Sequence, residues 1–168
     1  NGHRVACGFY WTEGLRGLGW AVDAVPTLKG GSTIGIPSPP AILLPDGRVV
    51  TPSVTDTERL QGFARNWTKA AEVVGRKSAR WKLVGNAVSV PAAVWLGRRL
   101  RRPGRVGDYE ELPLREGRAW PTAAWSVGAG RREVVASEWP VQWRYKSLES
   151  LLGPALSPLS AKATKGFL

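Results

Sequence analysis

Two helix signals, one ending at Gly62 and one opening near Pro91, constrain this chain more than any other feature. Ser53 stands three residues ahead of Asp56, the spacing of an N-terminal capping box, with Thr55 as a competing cap. Leu60 and Phe63 share the side that such a helix buries. Gly62 suits its stop, because glycine adopts left-handed backbone without steric cost. The second signal follows Leu83 and Val84. Gly85-Asn86 is a turn dipeptide, and Pro91 suits the first turn of a helix, where a missing N–H loses nothing. Val90, Ala93, Val94, Gly97 and Leu100 then recur at helical spacing. Ala93 and Gly97 keep that face small, so it can sit close against another element. Between the two signals, residues 64–82 read as a basic connector, with Arg65, Lys69, Arg76, Lys77, Arg80 and Lys82 set among Trp67 and Trp81. Basic residues interleaved with aromatics suit a nucleic-acid surface or a solvated linker.

The flanking segments have weaker signatures. Residues 1–25 are rich in glycine and aromatics without helical period, which predicts short strands or an extended loop. Pro26 and the prolines of 37–40 bracket a Gly-Gly loop, with Lys29 ahead of it and Ser32 and Thr33 behind. Such a loop lets backbone N–H groups approach another molecule closely, or serves as a plain hairpin tip. Asp46-Gly47 between the apolar arms of 41–50 predicts a hairpin with a tight primed turn. Arg98, Arg99, Arg101, Arg102 and Arg105 crowd the end of the second helix, where cations complement the dipole or contact phosphates. Pro103-Gly104 breaks that helix. Beyond it we expect short strands and a small helix around 146–152. The divisions are then 1–52, a region of hairpins and loops; 53–104, a helical closing segment; and 105–168, a C-terminal extension.

Charge narrows the partners. The 168 residues carry a net charge of +11, and arginine outnumbers lysine 17 to 7. A polyanion partner fits this balance, nucleic acid above all. With one cysteine, Cys7, and one histidine, His3, neither a disulfide framework nor a Cys/His metal site can be assembled. We therefore expect no metal, and a reducing, cytoplasmic compartment. No run approaches the ~18 apolar residues of a membrane helix. Nine tryptophans are a heavy load, and most are expected to supply core. Cys7 has no evident base or electropositive pocket to make it a nucleophile.

Arg59-Leu60-Gln61-Gly62-Phe63 and Gly85-Asn86-Ala87-Val88 resemble the two C-terminal blocks of the DNA cytosine-5 methyltransferase family. Thr27-Leu28-Lys29-Gly30-Gly31 is similar to the family's Thr-Leu and glycine loop, which lies against DNA near the target base. The three occur in the family's order, over roughly residues 20–100. The resemblance implies an α+β architecture. A small irregular β-rich target-recognition region would be followed by helices that pack on an α/β methyltransferase domain, with a C-terminal extension after them. It implies DNA contacts from Thr27, Lys29, Gly30, Gly31, Arg98 and Arg99. It implies S-adenosylmethionine contacts from Asn86, Ala87 and Val88, and structural support from Arg59, Gln61, Gly62 and Phe63.

The departures bear on catalysis. The family's Phe-x-Gly-x-Gly cofactor loop, Pro-Cys-Gln nucleophile loop and Glu-Asn-Val block do not occur in this sequence. Cys7 has neither Pro nor Gln beside it and stands on the wrong side of the recognition region, so no catalytic residue is assigned. The family's serine after Gly-Asn is Ala87 here. The expectation is therefore the DNA-recognising part of a cytosine-5 methyltransferase, with duplex DNA and a catalytic domain or subunit as partners. Such an enzyme flips cytosine from the duplex and methylates it. A catalytically empty DNA-binding module and a basic structural or interaction protein are the competing classes.

Overall fold

The computed structural model describes residues 5–10, 19–30, 39–75, 78–104, 110–115, 117, 119–126, 128, 130–135 and 145–160. They fall into two compact units: Asn1–Gly97 with Lys146–Leu168, and Arg98–Tyr145. The extension expected from residue 105 onward is thus split, because its last part returns to the first unit.

In the first unit, β1 (Cys7–Tyr10), β2 (Gly19–Val22), β3 (Ala41–Leu43), β4 (Val49–Thr51) and, from the far end of the chain, β8 (Ser157–Pro158) form one antiparallel sheet. Their order is β2-β1-β3-β4-β8, with Ile42 opposite Val50 and Thr51 opposite Ser157. Pro158 lacks a backbone donor and is tolerated because β8 is an edge strand. Ala6, Ile42, Leu44, Val50 and Leu148 form the core, with Val25, Leu60, Leu152 and Leu156 packed against it. Burying each large aliphatic side chain contributes about 1.5–3 kcal/mol. The described tryptophans do not supply this core. Trp20, Trp67, Trp95, Trp120 and Trp125 are exposed and Trp81 is half-buried, so the packing role expected of them is taken by aliphatic residues.

The hairpin at 41–51 forms, but its turn is not primed. A type I′ turn requires positive φ at both central residues. Pro45 cannot take one, and only Gly47 does so here, at φ +89°. The Gly47 amide donates to the Leu44 carbonyl at 2.9 Å and the Leu44 amide to the Arg48 carbonyl at 2.9 Å, closing a three-residue loop. Arg48 folds back on Asp46 at 2.7 Å.

Helix α1 (Val54–Leu60) is the centre of the unit. Its capping box is present: the Asp56 amide donates to Ser53 Oγ at 3.2 Å, and the Ser53 amide to Asp56 Oδ2 at 3.0 Å. Thr55 is not the cap. The helix ends in a Schellman motif, with the Phe63 amide donating to the Glu58 carbonyl and the Gly62 amide to the Arg59 carbonyl, both at 2.9 Å. Gly62 sits at φ +86° as that motif demands.

Leu60 and Phe63 are only half-buried. The fully buried residues of α1 are polar: Asp56, Thr57 and Glu58. Each has its partners. Asp56 also accepts from the Gly153 amide at 2.8 Å, which ties α1 to the loop after α5 (Leu148–Leu151). Arg59 Nη2 donates to the Ser150 carbonyl at 3.1 Å on α5 itself. Thr57 Oγ1 donates to the Val54 carbonyl at 2.7 Å.

Glu58 accepts from the Asn66 amide at 2.6 Å, the Thr68 amide at 2.9 Å, the Thr68 hydroxyl and Arg80 Nη2 at 2.9 Å. Arg80 also donates to Glu72 at 2.8 Å. This network converts the expected basic connector into structure. Residues 65–70 form turns, and α2 (Ala71–Val74) and α3 (Ser78–Asn86) follow. Gly85 and Asn86 close α3 rather than forming a turn by themselves. Pro91 lies in the first turn of α4 (Val90–Arg101). Among the described residues no helix is long and apolar enough to cross a membrane.

The second unit contains the last turn of α4 and a three-stranded antiparallel sheet, order β5-β7-β6, of β5 (Glu111–Pro113), β6 (Ala123–Ser126) and β7 (Arg131–Val134). Arg132 pairs with Glu111 at 2.9 Å across the β5-β7 ladder. The sequence WPTAAW at 120–125 echoes WPVQW at 139–143, and the second segment lies outside the described residues.

Replacing Arg80 with alanine leaves the Glu58 carboxylate buried without its cation, and should cost about 3–5 kcal/mol in urea unfolding. Burial alone would raise the Glu58 pKa. The Thr68 hydroxyl and amide, followed by Arg80, outweigh it and hold the pKa below the ordinary 4.5. A depressed folded-state pKa adds stability above the unfolded value that is lost as pH falls through the folded one. Wild type and Arg80→Ala should therefore converge in stability on acidification below pH 4.5, and a constant gap across that range would contradict the pairing.

Candidate nucleic-acid interface

The three sequence blocks singled out above meet in the first unit. The junction is built on two glycines. A Cβ on Gly85 would lie 2.1 Å from the Gly30 nitrogen and 2.2 Å from the Lys29 carbonyl carbon. No side chain fits there, so the Lys29–Gly30 backbone rests directly on the last turn of α3. A Cβ on Gly30 would in turn meet Asn86 Oδ1 at 2.9 Å. Gly85 is therefore needed for close approach within a helix, at the usual cost of glycine in a helix of ~1 kcal/mol.

The loop is held from its other side as well. Leu28 is buried, and Lys29 Nζ lies 4.7 Å from the centroid of the Tyr10 ring, a cation–π contact. Thr27, immediately before these anchors, is exposed. With Leu28 buried and Lys29 tethered to Tyr10, Thr27 is the residue of this stretch presented outward. Gly31 lies outside the described residues.

Gln61 clasps the other side of the junction. Its Nε2 donates to the Val84 carbonyl at 3.1 Å, which also accepts from the Ala87 amide at 3.3 Å, and to the Ala87 carbonyl at 3.2 Å just past the end of α3. Its own carbonyl accepts from the Val90 amide at 2.8 Å, at the start of α4. One residue thus caps the C-terminus of α3 and the N-terminus of α4. Gly62 completes the fit, since a Cβ there would meet Pro91 Cδ at 2.8 Å. Phe63 stacks on Trp67 with centroids 6.0 Å apart and planes at 19°. With Thr68, Ala70, Ala71 and Leu83 they line a shallow depression of about 330 Å³.

Beside this clasp, Asn86 and Val88 are exposed and Ala87 is half-buried. The Asn86 side chain makes no hydrogen bond among the described residues, and the Ala87 carbonyl is taken by Gln61. Residues 86–88 thus offer one open edge, with a free amide and an apolar side chain. Arg98 and Arg99 belong to the other unit, on the last turn of α4. From Pro91 onward every residue of α4 is exposed, including the Val94 and Leu100 of its apolar stripe, and a Cβ on Gly97 would touch nothing within 4 Å. Cys7 is half-buried in β1, its thiol donating weakly to the Val5 carbonyl at 3.7 Å.

Sequence reasoning missed Glu58 and Tyr10, and it missed the long-range partners of Asp56 and Arg80, Gly153 and Glu58. Their partners lie far along the chain, as with Glu58 and Arg80 at a separation of 22 residues, and no local pattern marks them. The one available signal was the run of polar residues in so short a capped helix.

Gln61→Ala removes both clasping donors and should lower stability by about 1–3 kcal/mol, with faster amide exchange at residues 84–90. Gln61→Glu keeps the shape but turns a carboxylate toward two carbonyls, so it should be the more destabilising of the two. The reverse order in thermal unfolding would refute the clasp.

No protein-family model matches the chain, and no solved structure matches it. The chain is similar to Type II methyltransferase M2.BsuMI of Bacillus subtilis (strain 168), with 46% identity over 172 residues. The match takes in 99% of this chain and 43% of that protein. The chain therefore spans less than half the length of the curated relative it matches, and its likeness along nearly its whole length is to part of a methyltransferase.

Proposed function

We propose that this chain is the DNA-recognising part of a type II, S-adenosylmethionine-dependent DNA (cytosine-5)-methyltransferase. The observation that carries the reading is the seat of Lys29–Gly30 on Gly85. It couples an outward Thr27 loop to the Gly-Asn-Ala-Val block through α3, and Gln61 locks that block to α4. The similarity to a methyltransferase over 99% of the chain supports it, as does the net charge of +11.

The chemistry explains why such parts are required together. Addition of a thiolate to cytosine C6 precedes methyl transfer to C5, and the base must leave the duplex to be reached. A recognition loop that contacts bases has to be held rigidly relative to the methyl donor. Here the holding is done by glycine contacts and side-chain hydrogen bonds instead of a flexible linker. Thr27 supplies a hydroxyl able to donate to or accept from a base edge, and Lys29 and Gly30 shape its approach.

S-adenosylmethionine supplies the methyl group when bound. The open edge of Asn86, Ala87 and Val88 fits one wall of its site, through the free Asn86 amide. Three residues on one edge do not enclose a ligand of that size, so the remaining walls and the nucleophilic cysteine are assigned to a catalytic domain or subunit. The exposed Val94, Gly97 and Leu100 of α4 fit a face that such a domain covers.

The purified 168 residues should bind duplex DNA and transfer no tritium from S-adenosylmethionine to it; tritium transfer by this chain alone would overturn the assignment of the nucleophile elsewhere. Thr27→Ala should weaken discrimination between a preferred duplex and a scrambled one by about tenfold, the equivalent of ~1.4 kcal/mol, more than it weakens overall affinity. Equal loss on both duplexes would remove Thr27 from base reading.

A further inference from the structure

The unit Arg98–Tyr145 concentrates arginine and excludes lysine. Ten of the chain's 17 arginines fall within 98–145, and none of its 7 lysines. Four of the ten, Arg98, Arg99, Arg101 and Arg102, line a single cleft of about 480 Å³ at the end of α4. The spacing of 98, 101 and 102 (i, i+3, i+4) puts three of them on one side of the helix, with Arg99 flanking. All four are exposed.

Elsewhere in the chain, arginines beside a carboxylate pair with it, as Arg132 does with Glu111 and Arg48 with Asp46. Among the described residues, Arg98, Arg101 and Arg102 meet no carboxylate. The helix dipole favours a cation near a C-terminus, but that effect fades within the last turn and does not discriminate arginine from lysine. It therefore accounts for neither four cations around one cleft nor the choice of guanidinium. Like charges this close repel one another, and a polyanion seated in the cleft would relieve that repulsion. Guanidinium forks bind phosphate oxygens in bidentate fashion, and duplex DNA presents one negative charge per ~1.7 Å of axis.

We propose that the arginine cleft at the end of α4 is a second DNA contact, separate from the Thr27–Gly30 loop, that grips the phosphate backbone of duplex DNA without regard to sequence. The inference rests on the proposed DNA-recognition function. It assigns affinity to the cleft and choice of sequence to the loop. Among the described residues the lining side chains are four arginines, which carry donors only, so they supply no acceptor for reading adenine or cytosine edges.

The test compares full-length protein with its Arg98→Ala/Arg101→Ala/Arg102→Ala variant. Two duplexes are used: one selected from a random pool for tight binding, the other its scramble. Alanine favours helix, so α4 should persist, and a triple lysine variant controls for loss of charge alone. Each phosphate contact contributes about 0.9 to the slope of log K against log salt, so the alanine variant should lose about 3 from that slope on both duplexes. The ratio of affinities for the two should stay within about twofold, and the lysine variant should keep most of the slope. An unchanged slope would overturn the proposal, as would a changed ratio. Dissociation of a catalytic subunit with the slope intact would also overturn it, making the cleft a protein interface. If unsubstituted protein shows no salt-dependent duplex affinity, the DNA-recognition reading fails along with it. An intact parent slope with an unaltered variant defeats this inference alone.

Discussion

A carboxylate buried in a seven-residue helix sets the terms for the first unit. Glu58 has no solvent exposure, and isolated burial of its charge would cost several kcal/mol. Arg80, two backbone amides and the Thr68 hydroxyl together make that burial tolerable. Those partners fix the described residues on either side of the connector, 66–75 and the start of α3. The chain must turn at Asn66, which takes φ +61°, and deliver Arg80 on a helix facing α1. Burial alone would lower the Arg80 pKa, but its hydrogen bonds to Glu72 and Glu58 hold it above the ordinary value, so the cation persists. A pair of this kind is poor evidence for net stability, but breaking it by removing one partner leaves a buried charge uncompensated.

The other residues of α1 spread that order outward. Asp56 and Arg59 hold the loop and carbonyls of α5, which carries Leu148 into the core and leads the chain to β8 on the sheet edge. Gln61 and Gly62 hold the end of α3 and the start of α4. The Arg-Leu-Gln-Gly-Phe block is therefore a connector in three directions, toward the sheet, α3 and α4. Its polar residues make these connections through hydrogen bonds to main-chain groups that helix ends leave open. The Thr27–Gly30 loop comes to the same place by a different route, through steric fit on Gly85. Hydrogen bonds and backbone contact together bring segments some 55 residues apart in sequence, Gly30 and Gly85, into one junction.

Local chemistry was readable wherever the deciding atoms lie within a few residues of one another. The capping box of Ser53 and Asp56, the stop at Gly62, the proline in the first turn of α4 and the hairpin at Asp46-Gly47 all depend on such short-range bonds. Even so, the type of turn was misread. The fixed φ of Pro45 excludes the primed conformation that Asp-Gly alone favours. Gly85-Asn86 was misread as well, since a glycine demanded by a neighbouring backbone is indistinguishable in sequence from one demanded by a turn. The tryptophans misled in the same manner: their size favours burial, yet their places in strands, helices and turns left the described ones at or near the surface.

The sequence by itself determined the helix boundaries around α1 and α4, the excess of positive charge and the order of the three blocks, because each follows from neighbouring residues or from counting. Only the tertiary structure decided that Glu58 and Arg80 meet, that Gln61 clasps two helices, that Lys29–Gly30 rests on Gly85, and that the end of the chain returns to complete the sheet. Those outcomes depend on which distant groups can satisfy a buried charge, an open carbonyl or an unpaired strand edge. The covering of each is a property of the whole chain and leaves no periodic trace along it.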